Sequence, residues 1–235
     1  MTTVKAQAFY RNHLLRDGIN QAIYDAMQID PSIYLFGEGA WVKARYDAPQ
    51  ILAEFRERIM TMPIAEDGSV NFAVGASLLG VKPVVDIITA DFLYRCFDSI
   101  ANTAAKLNFV QAEGEPPKTM VIRAEFLTGG PTTGQRPEAL FAHIPGLNVV
   151  VPSTPRDAYG LMRTALQTPG VAIFFEDRMI ADQGPWTAQD LRENLPKTDK
   201  GKPQWFATLT RDKAADMGTV GHAHHEAQDP AEHGG

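Results

Sequence analysis

Short apolar runs alternate with amphipathic stretches along most of this chain. Ile33-Tyr34-Leu35-Phe36 ends at Gly37, and comparable runs recur at residues 83–88, 119–123, 147–151 and 171–175. Runs that are apolar at consecutive positions, rather than at every second one, predict strands buried on both faces. Residues 17–30 place Ile19, Ala22, Ile23, Ala26 and Met27 at helical spacing behind Asp17 as N-cap, which predicts a first helix. Helix-like stretches at 69–80, 91–109 and 155–167 are each long enough for a crossover between parallel strands. The alternation predicts an α/β fold with three layers, α/β/α, around a mostly parallel sheet. Ligands of such sheets bind at the carboxyl ends of the strands.

The pattern stops near residue 180. Trp186, Leu191, Trp205 and Phe206 are scattered among Pro, Lys, Gln and Asp, and the last stretch is rich in His, Gly, Ala and Glu without periodicity. The expected organisation is a domain over 1–180, an extended or partly helical arm over 181–216 and a disordered tail over 217–235. With 235 residues, 44% of them apolar, the chain can bury one sizeable core. A net charge of −6 without a basic cluster argues against nucleic-acid binding. The single cysteine, Cys96, argues against a disulfide framework. No apolar run spans a membrane and no secretory leader is evident, so the expected setting is cytoplasmic.

Several motifs fall in a fixed order. Met62-Pro63-Ile64-Ala65-Glu66 is followed by Asn71-Phe72-Ala73-Val74-Gly75-Ala76, by Gly80-Val81-Lys82-Pro83-Val84 and by Ala90-Asp91-Phe92. Ala104-Ala105-Lys106, Phe141-Ala142-His143-Ile144-Pro145-Gly146-Leu147 and Pro152-Ser153-Thr154-Pro155 come later. Over residues 18–177 the chain resembles the β subunit of the decarboxylating component of 2-oxoacid dehydrogenases, that is, a transketolase-like pyrimidine-binding domain.

The resemblance implies thiamine diphosphate as cofactor. Its reactive carbon loses a proton more readily when a carboxylate hydrogen-bonds to the pyrimidine ring nitrogen, and Glu66 matches the family's residue for that role. Ile64 and Ala65 would contribute a low-polarity setting in which a proton stays shared. Read from spacing alone, Glu66 and Asp67 equally suit the start of a helix entered at Ser69. Phe92 matches the aromatic residue that packs on the pyrimidine, and Ile64 and Ile88 match apolar positions of the same pocket; each reads by itself as core. Glu38, directly after a strand, matches an acidic residue near the cofactor, with a solvated loop carboxylate as the alternative.

One loop departs from the family. In Gly129-Gly130-Pro131-Thr132-Thr133-Gly134-Gln135, Thr133 stands where both dehydrogenase β subunits and transketolases carry a histidine. A threonine hydroxyl donates a hydrogen bond but does not titrate near neutral pH. Glu125, Thr133 and Gln135 remain candidates for substrate contact, and the donor is not inherited from either relative. His143 reads as a packing residue, and His222, His224, His225 and His233 as a solvated tail rather than a metal site.

Neither a Gly-Asp-Gly motif that would hold a diphosphate through Mg²⁺, nor a dinucleotide or Walker-type glycine loop, is found. In the family an α-type chain supplies the Mg²⁺ and diphosphate site, so the resemblance implies such a partner in an α2β2-type assembly. It also implies a lipoyl or acyl-carrier protein as acceptor. The family's second α/β domain is missing here, to be supplied by another polypeptide or dispensed with. The expected function is C–C cleavage next to a ketone with transfer of the acyl or ketol unit. A dehydrogenase–transketolase hybrid using a ketose phosphate and a non-catalytic structural subunit are the alternatives.

Overall fold

The computed structural model describes residues 15–40, 44, 47–127 and 133–177. Its centre is a six-stranded sheet: β1 (Ile33–Gly37), β2 (Ile59–Thr61), β3 (Lys82–Thr89), β4 (Thr119–Phe126), β5 (Leu147–Val150) and β6 (Gly170–Asp177), in the order β2-β1-β3-β4-β6-β5. Every neighbouring pair is parallel. The helices whose bounds lie in the described residues are α1 (Leu15–Ile29), α2 (Pro49–Phe55), α3 (Glu66–Leu78), α4 (Glu138–Ala142) and α5 (Pro155–Ala165). Between β3 and β4 runs a helix of mixed winding, with 3-10 turns at Ala90–Cys96 and Ala104–Lys106 around a π turn at Ser99–Thr103.

The twofold period of a strand sends each strand's side chains into two separate cores. Ile33, Leu35, Val84, Val121, Ala172 and Phe174 pack with α1 and α5. Their neighbours Phe36, Val85, Ile87, Met120, Ile122, Val171, Ile173 and Phe175 pack with α3 and the mixed helix. The predicted three-layer arrangement is therefore present. On the first face α1 and α5 approach closely: a Cβ on Gly18 would sit 2.0 Å from the Pro155 carbonyl oxygen, so only glycine fits. Thr154 caps α5, its side chain accepting from the Asp157 amide at 3.1 Å, with proline in the first turn.

Several boundaries differ from those predicted. Helix α1 begins at Leu15, which places Asp17 inside the first turn rather than at the cap. Helix α3 begins at Glu66, three residues before Ser69, with Glu66 and Asp67 in the first turn where the helix dipole favours acids. The edge strand β2 and helix α2 were not predicted. Met60 in β2 is exposed and α2 buries only Ile51, so neither leaves the apolar trace of a core element. The arm at 181–216 and the tail at 217–235 lie outside the described residues.

Candidate active site

The strand order fixes where a ligand can enter. The chain leaves β1 toward β2 on one side and leaves β3 toward β4 on the other, while β1 and β3 pair directly. The α2 connection packs on the α1 side, through Ala48 and Ile51, and the mixed helix after β3 packs on the α3 side. Adjacent strands whose connections part in this way leave a crevice at their carboxyl ends. Gly37 closes β1 at φ 127°, and a Cβ there would lie 2.2 Å from the Asp86 carbonyl oxygen. The loop that follows is pressed on β3: a Cβ on Gly39 would be 3.3 Å from Ile88. The register of β3 against β4 slips between Asp86 and Thr89, and there Ile88 adopts φ 62° while its amide donates to Asp86 Oδ1 at 2.8 Å.

Around this crevice the fold gathers four of the residues expected there. Glu38 follows β1, Ile88 lies near the end of β3, Phe92 sits on the 3-10 turn after it, and Glu66 opens α3 after β2. Glu66 is only 5% exposed. Arg95, one 3-10 turn beyond Phe92, places its Nε 3.5 Å from Glu66 Oε2. Glu38 accepts from the Ala65 amide at 3.1 Å, one residue before Glu66. Burial raises the Glu38 carboxyl, and the negative charge of Glu66 raises it further; the Ala65 hydrogen bond only partly offsets them. Asp67, beside Glu66, accepts from the Ser99 hydroxyl, and Asn71 donates to the same hydroxyl at 2.6 Å, so the start of α3 is tied to the π turn. Cys96 is buried next to these acids. Burial first, then the charges of Glu66 and Asp67, pushes its thiol up to about 12, which leaves it un-ionised and a poor nucleophile at neutral pH.

Ile64 stands apart from this group. It is 85% exposed and Ala65 is exposed too, so these residues do not form the apolar wall expected around Glu66 within this chain. Gln135 is exposed, but its amide donates to Asp91 Oδ1 at 3.2 Å, which ties the Thr133-containing loop to the residue before Phe92. Glu125 is buried one strand over, opposite Thr89 in the ladder and within the field of Arg123. Arg123 itself is buried in a two-pronged pair with Glu176, at 2.5 and 3.0 Å, on the α1 face. Sequence reading missed Arg95, Asp91, Asp86 and the Arg123–Glu176 pair. A charged residue within or directly after an apolar strand run was the available signal for all but Arg95.

The set fits one part of a thiamine cofactor and not another. A buried carboxylate, with a half-buried aromatic ring and an aliphatic side chain on the elements that border the same crevice, suits a neutral heteroaromatic ring. It does not suit a diphosphate, since carboxylates crowd the same strand ends. Among the described residues no cluster of three or more His, Cys, Asp or Glu side chains is placed to hold a metal ion.

A parallel α/β domain with a carboxylate and an aromatic ring at its switch-point crevice defines the structural class. Residues 13–182 match the family model described as transketolase, pyrimidine binding domain, and the chain belongs to that family. It is 32% identical over 212 residues to the 2-oxoisovalerate dehydrogenase subunit beta 2, mitochondrial, of Arabidopsis thaliana, covering 88% of this chain and 57% of that one. It is 34% identical over 172 residues to the pyruvate dehydrogenase E1 component subunit beta-2 of Oryza sativa subsp. japonica, covering 71% and 46% respectively. A third relative is the acetoin:2,6-dichlorophenolindophenol oxidoreductase subunit beta of Cupriavidus necator, 32% identical over 229 residues, covering 91% and 65%. The chain thus spans about half the length of the curated relatives it matches. Among solved structures, a split gene transketolase described as an inactive beta4 tetramer superposes with a TM-score of 0.60 at 22% identity, covering 72% of this chain and 52% of that one, which supports the fold.

Proposed function

We propose that this chain is the pyrimidine-binding, β-type part of a thiamine-diphosphate enzyme that cleaves the bond next to a ketone carbonyl and transfers the acyl unit, in the manner of 2-oxoacid dehydrogenases. The observation that carries the reading is Glu66, a carboxylate 5% exposed at the opening of α3, held at the same crevice as Phe92. When bound, the cofactor supplies the carbanion chemistry. Glu66 would accept or share a proton at the pyrimidine ring nitrogen, Phe92 and Ile88 would hold the ring plane, and Glu38 would stand as a second proton-carrying carboxyl.

The diphosphate and Mg²⁺ would be held by an α-type chain, and a lipoyl group on a carrier protein would receive the product. This division follows from the acidity of the strand ends and from the family resemblance. The named relatives act on 2-oxoisovalerate, pyruvate and acetoin, so these are the first donors to try.

Two measurements on the assembled complex test the reading. Glu66→Gln keeps the shape and removes the acid, and should lower turnover by about 100-fold or more; activity close to wild type would remove Glu66 from the chemistry. Offering pyruvate, branched 2-oxoacids, acetoin and xylulose 5-phosphate separates the donors. Release of CO₂ supports decarboxylation, and release of a shortened aldose phosphate would replace it with ketol transfer.

A further inference from the structure

Arg95 has no place in the scheme above, yet it touches the residue at its centre. Its Nε stands 3.5 Å from Glu66 Oε2, with the Arg95 side chain 75% exposed and that of Glu66 6% exposed. The guanidinium therefore reaches the buried carboxylate from the solvent side. Arg95 and Phe92 lie three residues apart on the 3-10 turn Ala90–Cys96. A 3-10 helix has three residues per turn, so side chains three apart eclipse and share a face. The ring expected to stack on a pyrimidine and the cation on Glu66 thus project from one side of one turn.

Among the described residues, the other groups around Glu66 are not cationic. Glu38 lies across the crevice and adds negative charge, Asp67 is the next residue along α3, and the Cys96 thiol is buried beneath. Arg95 is the cation that the described residues bring to Glu66. At 3.5 Å the contact is an ion pair beyond ordinary hydrogen-bond length, made by a long side chain with open solvent beside it. Such a contact holds the carboxylate and gives way readily.

Resting on the proposed function, we propose that Arg95 is a displaceable latch on Glu66. It holds the carboxylate while the crevice is empty, and it swings out to solvent when a pyrimidine ring enters between Glu66 and Phe92. Ring and guanidinium compete for the same carboxylate, so the latch raises the apparent dissociation constant by the inverse of the fraction of chains left unlatched.

The test is the dissociation constant of thiamine diphosphate, in the presence of Mg²⁺, for the cofactor-stripped assembly, read by calorimetry or tryptophan fluorescence and not by turnover. Arg95→Gln keeps the length and loses the charge, and should tighten binding about 3- to 5-fold, the effect of removing a contact of about 1 kcal/mol. Arg95→Lys keeps the charge and should stay near wild type. Because the side chain is mostly exposed, both variants should assemble and melt as wild type does. Weaker binding by Arg95→Gln would make Arg95 a cofactor contact and overturn the latch. Unchanged binding in Arg95→Gln, with weakened binding in Glu66→Gln, would overturn the latch and leave the cofactor reading standing. No binding by the wild-type assembly would overturn both.

Discussion

Ile88 is a β-branched residue held at φ 62°, a conformation that L residues other than glycine, asparagine and aspartate rarely adopt. It coincides with two local features: the amide is engaged by Asp86 Oδ1, and the ladder to β4 slips there. Such a conformation costs on the order of 1–3 kcal/mol and tends to persist where a site needs it. Ile88→Gly should relieve that strain while losing a half-buried side chain, two effects of opposite sign and similar size. The expected result is a melting temperature near wild type together with weaker thiamine-diphosphate binding by the assembly. A large fall in melting temperature with unchanged binding would make Ile88 a packing residue only. Nothing in the run Val84-Val85-Asp86-Ile87-Ile88 marks this backbone, because the slip in the ladder involves β4, which is distant in sequence. Glu66 and Phe92 stood out as candidates through their motifs. Arg95 did not, since an arginine in an amphipathic stretch reads as solvated until the fold brings it to Glu66.

Elements were legible in proportion to how much they bury. The five strands with continuous apolar runs occur where those runs lie, whereas β2, with Met60 exposed, left no trace. The starts of α1 and α3 were read late because their first turns carry polar residues, Arg16 and Asp17 in one and Glu66 and Asp67 in the other. Strand β4 shows how a charge can sit inside such a run. It is buried at all eight positions from Thr119 to Phe126, and Arg123 is accommodated because Glu176 on β6 takes its guanidinium in a two-pronged pair. Burial opposes the Arg123 charge, but Glu176 first, and then Asp86 and Glu125, raise its pKa above the ordinary arginine range. Arg123→Leu would remove the cation and leave three acids buried on adjacent strands. The expected loss is about 3–5 kcal/mol of unfolding free energy, read as a lower urea midpoint. A loss under about 1 kcal/mol would show that the pair contributes little beyond its own desolvation.

At the scale of the molecule, the distribution of charge bears on the proposed division of the cofactor site between two chains. Glu38, Glu66, Asp67, Asp86, Asp91 and Glu125 lie in or just beyond the strand ends of a chain whose net charge is −6. The described cations of that quarter are engaged by acids, Arg95 with Glu66, Arg123 with Glu176 and Arg136 with Asp177. A ring that carries no charge can approach such a surface, but a diphosphate approaching it meets repulsion of several contacts at once. On the proposed function, the phosphate end would be neutralised by a metal ion and a surface of the α-type chain. Each charge-assisted hydrogen bond supplied there is worth about 1.5–3 kcal/mol. Two of them separate bound from unbound by more than about 100-fold. Purified alone, the chain should bind thiamine diphosphate and Mg²⁺ weakly, and adding the α-type chain should tighten binding by at least that factor. Titrating the cofactor into each preparation by calorimetry measures the difference. Tight binding by the isolated chain would show that its own residues hold the diphosphate, and the division of the site between two chains would then be wrong.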